Sequence, residues 1–341
     1  MRIATIKRQM RRGAGFLAPA MWSLRRGSSL VILMYHRVLP GKHPDRRFQQ
    51  PGMWVSPESL EMQLRILKRH FDVVSLEEWV QMATRGGPLP RRACSITFDD
   101  GWKDNFDYAF PLLESEKVSA TIFLVSDLIG RCYEFWPNRL ARLLHHLYEA
   151  GHPRWPPGIV ALMRRSGQSR VKSSFESIED LVDALIAHCK KSPESEILSL
   201  LDEAEAGLST FRPKAERDLL NHAEIAQMEA SGLISFGSHT RRHTRLIAGL
   251  SRSALIDEIA GSRAQLQTAL RRDVSLFCYP NGDHTGEAVE IVRDNYVAAV
   301  TTRSGWVRHS VDDICMLPRV GIHEDVAADG RSFLARVGRI R

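Results

Sequence analysis

Two adjacent carboxylates, Asp99 and Asp100, stand between a β-type run (Cys94-Ser95-Ile96-Thr97-Phe98) and Gly101. A strand alternates its side chains, so two neighbours reach one site only where the strand ends and the chain bends. Gly101 permits that bend. At the C-terminal end of a strand, such a pair can hold a metal with one carboxylate and a proton with the other. Taken alone, Asp-Asp-Gly equally suits a turn that leads into a helix N-cap. A second set, Ser238-His239-Thr240-Arg241-Arg242-His243, again follows a predicted strand and its Gly. Histidines at i and i+4 face the same way on a helical turn, so His239 and His243 can reach one ion. With Asp100 they would form a two-His, one-carboxylate site with positions left for water and substrate.

Two further strand ends carry polar chemistry. Phe277-Cys278-Tyr279-Pro280-Asn281-Gly282 is a strand closing in a Pro-Asn-Gly turn, whose backbone N–H groups can act as oxyanion donors. His36, in Tyr35-His36-Arg37-Val38, ends the first predicted strand; His323, after Leu317-Pro318-Arg319-Val320-Gly321-Ile322, is the competing histidine.

The elements that must position these residues alternate strand and helix. The continuous apolar run Leu30–Tyr35 reads as a buried parallel strand. Ser56-Pro57-Glu58 supplies a cap, a first-turn Pro and an acid, and Leu60, Leu64 and Leu67 recur behind it at helical spacing, which predicts a helix to about 70. A short strand at 71–74, a helix at 76–83, the strand 94–98, a helix at 104–116 and the strand 120–125 follow. Between about 131 and 221 strand-like runs disappear. Leu140-Leu143-Leu144-Leu147 and Leu181-Val182-Leu185-Ile186 carry helical periodicity, and the segment reads as a helical insertion. Alternation resumes with a helix at 222–231, a strand at 233–237, a long helix at 251–271, and strands at 274–279 and 297–301 with a helix between them. This is an α/β pattern of a parallel sheet or barrel whose site lies at the strand C-terminal ends. The expected organisation is a basic leader (1–29), a barrel (30–130 and 222–325), the insertion (131–221) and a C-terminal tail (326–341).

Composition sets bounds on class. With 341 residues, 43% hydrophobic and 26% charged, the chain can bury a sizeable core. Its net charge is +7, and Arg2, Lys7, Arg8, Arg11, Arg12, Arg25 and Arg26 precede the first acid, Asp45. Such a leader reads as a solvated terminus, with anionic lipid or a glycan-synthesis complex at the membrane as its alternative contact. No basic-aromatic platform for nucleic acid is present. Residues 13–24 form a short apolar run, but Arg25-Arg26 directly after it is awkward for export. Five widely spaced cysteines without a CxxC make no disulfide framework and fit a reducing compartment. The expected location is cytoplasmic, with periplasmic or membrane-associated placement through the leader as the alternative. Nothing in the chain fixes an oligomeric state.

Thr97-Phe98-Asp99-Asp100-Gly101, His239-x3-His243 and Tyr279-Pro280-x-Gly282, in that order, resemble the polysaccharide deacetylase family, also called the NodB-homology or carbohydrate esterase 4 group. The resemblance covers about 30–130 and 225–325 and implies a distorted (β/α)7-type barrel. Tyr35-His36-Arg37-Val38 resembles its circularly permuted branch, in which a histidine that usually comes last lies at the first strand; members of that branch act on exopolysaccharides and biofilm polymers of N-acetylglucosamine. The resemblance implies a divalent metal, zinc by preference, on Asp100, His239 and His243, and Asp99 as general base. It implies the backbone N–H of Asn281 as oxyanion donor, and His36 as the acid for the departing amine. Many members carry an Arg in the third motif that braces the base. Here Cys278 holds that place, and Arg319 can substitute from another strand. Asn281 also replaces a common aromatic. The implied activity is metal-dependent removal of N-acetyl groups from an amino-sugar oligo- or polysaccharide, of the chitooligosaccharide or poly-N-acetylglucosamine kind, in exopolysaccharide or surface-glycan synthesis. The alternative is a carbohydrate-binding protein that keeps the fold without turnover. A glycoside hydrolase using Asp99 and Asp100 fails on geometry, because its carboxylates must lie about 5 Å or more apart across a sugar and sequence neighbours do not straddle one.

Overall fold

The first apolar run among the described residues becomes strand β1 (Ser29–Tyr35), buried on both faces in the computed structural model, which describes residues 28–151, 154–165, 177–308 and 313–338. The basic leader and the apolar run at 13–24 lie outside the described residues. The remaining strands are β2 (Arg37–Val38), β3 (Trp54–Val55), β4 (Asp72–Val73), β5 (Arg92–Phe98), β6 (Ala120–Leu124), β7 (Ile234–Ser238), β8 (Leu276–Cys278), β9 (Ala298–Val300), β10 (Val307–Arg308) and β11 (Val320–Gly321). They form the order β10-β1-β5-β6-β7-β8-β9, with β4 on β5 and β11 on β1, while β2 and β3 pair separately. Every pairing is parallel except β1 with β10.

The path curls back to its start. The Leu317 N–H donates to Ala299 and the Thr301 N–H to Leu317, both at 2.9 Å, so the segment before β11 extends the β9 edge. Three and four residues later Val320 and Gly321 pair with Leu33 and Met34 of β1. Residues 317–321 therefore close the curl between β9 and β1 and complete a distorted seven-membered barrel.

The two sides of each strand pack differently. Leu30, Ile32, Ala93, Phe123, Leu276, Cys278, Val300 and Leu317 cluster on one side with Trp79 of the helix Leu76–Thr84. Val31, Leu33, Ile96, Phe98, Ile122 and Phe236 face the other way, against Leu60, Leu64 and Leu67 of the helix Pro57–His70. Two-sided burial is what the continuous apolar runs require of parallel strands. The cap of that helix is the one its sequence predicts, with Ser56 Oγ accepting from the Ser59 N–H at 3.1 Å.

The chain divides into two compact units, and the second differs in extent from the expected insertion: it comprises Pro44–Gln50 and Cys132–Glu216. Residues 217–221, expected within the insertion, belong to the barrel unit because they hydrogen-bond across the turn after Asp100: Leu220 N–H donates to Gly101 at 2.9 Å and Lys103 N–H to Asp218 at 2.6 Å. Pro44–Phe48 joins the helical unit, where the Phe48 ring meets His145 at 5.4 Å. Residues 326–341 are likewise not a tail alone. The helix Gly330–Gly338 buries Phe333 and Val337 in the barrel unit's core, since these apolar side chains share one helical face. No helix among the described residues is long and apolar enough to cross a membrane.

The helical unit packs Trp136–Glu149, Pro157–Arg165, Ile178–Cys189 and Glu194–Ala206 around Leu140, Leu144, Leu147, Ile159, Leu185 and Leu201. Its closest backbone approach is at Gly158, where an added Cβ would lie 2.1 Å from the Leu200 carbonyl oxygen. Gly158→Ala is accordingly expected to cost about 1–3 kcal/mol through overpacking, read as a lower denaturation midpoint with far-UV helicity retained below the transition; an unchanged midpoint would refute the close contact.

Candidate active site

Asp99 lies on the same strand face as Thr97, pointing inward, as period-two alternation requires. Asp100, its neighbour, would ordinarily point outward. It turns back because its own backbone is left-handed (φ 73°), followed by Gly101 at φ 71°. The bend expected at the glycine thus begins one residue earlier, on a residue type that tolerates this conformation better than most. Both carboxylates are buried, with 2% and 6% of their surface exposed.

The two have separate partners. Arg319, fully buried, straddles Asp99: Nη1 donates to Oδ1 and Nη2 to Oδ2, each at 2.7 Å. The other three guanidinium donors go to the Thr301 carbonyl (2.9 Å), Thr97 Oγ1 (3.0 Å) and Cys278 Sγ (3.2 Å). All five N–H groups of the fork are engaged. Arg319 arrives on the barrel-closing segment, and the small Cys278 side chain on β8 accepts from it. Burial would raise the Asp99 carboxyl; Arg319, then His36 and His239, outweigh that effect and hold it below the usual carboxylate range.

Asp100 faces the histidines. Its Oδ1 lies 3.4 Å from His239 Nε2 and 3.4 Å from His243 Nε2, while Oδ2 accepts from the Trp102 indole N–H at 2.9 Å. Trp102 was not legible as a site residue, though it directly follows the Asp-Asp-Gly turn. The Cys278 carbonyl lies 2.7 Å from His239 Nδ1. A carbonyl only accepts, so Nδ1 carries a proton, and Nε2 is the nitrogen that faces Asp100. Burial would raise the Asp100 carboxyl; the imidazoles of His239 and His243 beside it outweigh that effect and hold it well below its ordinary value.

His239 and His243 converge without the expected helical turn. Residues 239–243 are an irregular loop with Thr240 and His243 both at φ 64°. The loop continues the sheet on one side: the His239 N–H donates to Leu124 at 2.8 Å and the Ser126 N–H to Thr240 at 3.2 Å. These tertiary bonds override the local periodicity that suggested a helix.

His36 ends β1, with Nε2 3.8 Å from Asp99 Oδ2 and 18% of its side chain exposed. Its backbone carbonyl accepts from Asn105 Nδ2 at 2.8 Å, from the start of a π-turn that also escaped the sequence reading. Enclosure lowers the His36 pKa, with Asp100 and Asp99 countering only in part. His323 is differently occupied, with Nδ1 3.0 Å from Asp325 Oδ2 on an exposed turn. Asn281 sits in the turn after β8 at φ 55°, where its carbonyl accepts from Thr302 Oγ1 at 3.2 Å.

Asp100, His239 and His243 can hold a metal: their ligand atoms all fall within 4.8 Å of one another. The two 3.4 Å carboxylate–imidazole separations are long for a hydrogen bond but match the edge of a tetrahedron, about 3.4 Å, when ligands stand about 2.0–2.1 Å from a zinc ion. One oxygen and two unprotonated imidazole nitrogens are a donor set that zinc accepts.

A family model described as polysaccharide deacetylase matches residues 86–172 and 188–300, together more than half of the chain. The matched residues contain Asp99, Asp100, His239, His243 and Asn281, whereas His36 and Arg319 fall outside them. Among curated relatives, the poly-beta-1,6-N-acetyl-D-glucosamine N-deacetylase of Staphylococcus epidermidis is 30% identical over 134 residues, 36% of this chain and 46% of that protein. The chain spans less than half the length of the curated relatives it matches, 40% and 46%. Two solved structures share the fold. The Streptococcus pyogenes deacetylase PplD has a TM-score of 0.58 at 18% identity, covering 92% of this chain and 99% of that one. IcaB from Ammonifex degensii has a TM-score of 0.56 at 20% identity, covering 91% and 98%. The Asp-Asp-Gly strand end, the histidine loop and the fold carry one conclusion: this chain belongs to the polysaccharide deacetylase family.

Proposed function

We propose that the chain is a metal-dependent hydrolase that removes N-acetyl groups from an N-acetylated amino-sugar polymer, of the poly-β-1,6-N-acetylglucosamine kind named for its staphylococcal relative. One observation carries the reading. Neighbouring carboxylates have opposite surroundings, Asp99 in the fork of Arg319 and Asp100 between two imidazoles, so one is free for proton transfer and the other for an ion. A zinc ion held by Asp100, His239 and His243 would supply Lewis-acid polarisation of the acetamide carbonyl and acidify a water.

The chain's own groups do the rest. Asp99 is ionised at neutral pH and takes the proton of the attacking water, with Arg319 fixing the carboxylate's plane and direction. The Asn281 N–H, on its left-handed turn, donates to the oxygen that becomes negative in the tetrahedral intermediate. His36, neutral at pH 7 because enclosure lowers its pKa, takes the proton from Asp99 once their 3.8 Å separation tightens to hydrogen-bond length around the substrate, and delivers it to the sugar nitrogen. The C–N bond then breaks, leaving acetate and a free amino sugar. One water proton thus serves both partners, and no outside acid is needed.

Acetate release should be followed on β-1,6-linked N-acetylglucosamine oligomers, with β-1,4-linked oligomers as the comparison. Asp99→Asn is expected to lower kcat about 10²–10⁴-fold with bound zinc unchanged; full activity in this variant would sink the mechanism. The acid is tested separately: His36→Ala should lose far more rate than His323→Ala, and the reverse order would move the role to His323.

A further inference from the structure

Residues 239–243 contain two left-handed residues and no helical turn, yet they bring two imidazole nitrogens to one oxygen. Glu258 supplies the constraint. It is 2% exposed, and its Oε2 accepts from two consecutive backbone N–H groups inside the loop, Arg241 at 3.0 Å and Arg242 at 3.1 Å. Its Oε1 lies 2.7 Å from the Arg242 guanidinium. A carboxylate buried against such donors is a rigid anchor, because moving it would leave a buried charge without the hydrogen bonds that satisfy it.

Glu258 is itself held. It stands in a π-turn, Asp257–Gly261, between the helices Arg252–Ile256 and Ser262–Leu270. Ser262 Oγ shares a buried 2.8 Å hydrogen bond with Ser238 Oγ, the last residue of β7. The Ile259 carbonyl in the π-turn accepts from Tyr296 Oη at 2.8 Å. On the opposite side of the loop the Asp127 N–H donates to the Arg241 carbonyl at 2.9 Å. The peptide units between the two histidines are therefore gripped from both sides, by the turn Ser126–Leu128 after β6 and by the Glu258 carboxylate.

We propose that Glu258 is a positioning residue for the metal site, setting the separation of His239 and His243 through the Arg241–Arg242 backbone without touching the ion. The proposal rests on the functional reading above and concerns how tightly and in what geometry the ligands are held. Metal-free full-length protein would be titrated with Zn²⁺ against a chelator of known affinity, and with Co²⁺ followed by its visible absorption. Amide exchange at Arg241 and Arg242 would be measured without metal.

Glu258→Ala is expected to weaken Zn²⁺ binding about 10–100-fold, to alter the Co²⁺ spectrum and to expose both amides. Glu258→Gln should return most of the affinity, because its amide oxygen can still accept both N–H groups, whereas Glu258→Asp, which keeps the charge but withdraws the oxygen, should not. This charge-versus-reach split also carries the test if the alanine variant fails to fold. Wild-type affinity and spectrum in Glu258→Asp would overturn the proposal, as would protected amides in Glu258→Ala. A wild-type chain that binds neither ion while both amides are protected would overturn the metal reading itself, a result distinct from either of these.

Discussion

The site depends on one buried ion pair. Asp99 is a carboxylate with 2% of its surface exposed, a position that ordinarily forces protonation. A protonated Asp99 would have no capacity to take a proton from water. The Arg319 fork reverses that outcome with two 2.7 Å hydrogen bonds, while its other donors are spent on a carbonyl, a hydroxyl and a thiol. Such a pair adds little net stability over an apolar alternative of the same volume, and breaking it by removing one partner costs about 3–5 kcal/mol. Its contribution is electrostatic: it keeps the Asp99 carboxylate ionised despite burial, as the proposed base requires.

The fold brings this pair together by closing on itself. Arg319 lies in the short segment that hydrogen-bonds to β9 on one side and β1 on the other. The small side chain of Cys278 becomes intelligible from that geometry. A large cation there would compete for the volume that the incoming guanidinium fills, and a small polarisable acceptor suits it. The imidazoles are organised by the same logic of backbone rather than side chain: Asp100, Thr240, His243 and Asn281 all sit at positive φ. Strained residues of this kind persist only where surrounding contacts dictate them.

How much of this was readable from the sequence divides along the range of the forces involved. Local signals were sufficient for the core of the barrel. The apolar runs of β1, β5 and β6 and the Ser56 cap lie within a few residues of what they determine, and the three motifs fell at strand ends. What failed had non-local causes. The histidine loop reads as helical by spacing but takes its shape from β6 and from Glu258. The segment expected as a tail supplies Phe333 to a core built by distant strands, and Pro44–Phe48 joins a unit whose other residues begin at 132. Arg319 could be nominated as a brace only through a resemblance, because no spacing rule connects residues 220 apart.

That separation has a consequence for the life of the chain. During synthesis Asp99 emerges 220 residues before Arg319, and the barrel lacks its closing segment until that stretch has been made. Until then the inward-facing carboxylate has no guanidinium and the strand edges of β1 and β9 remain partly unpaired. The ion pair at Asp99 and the seam between β9 and β1 therefore come into being in the same event, so that an ionised Asp99 is also a report that the barrel has closed.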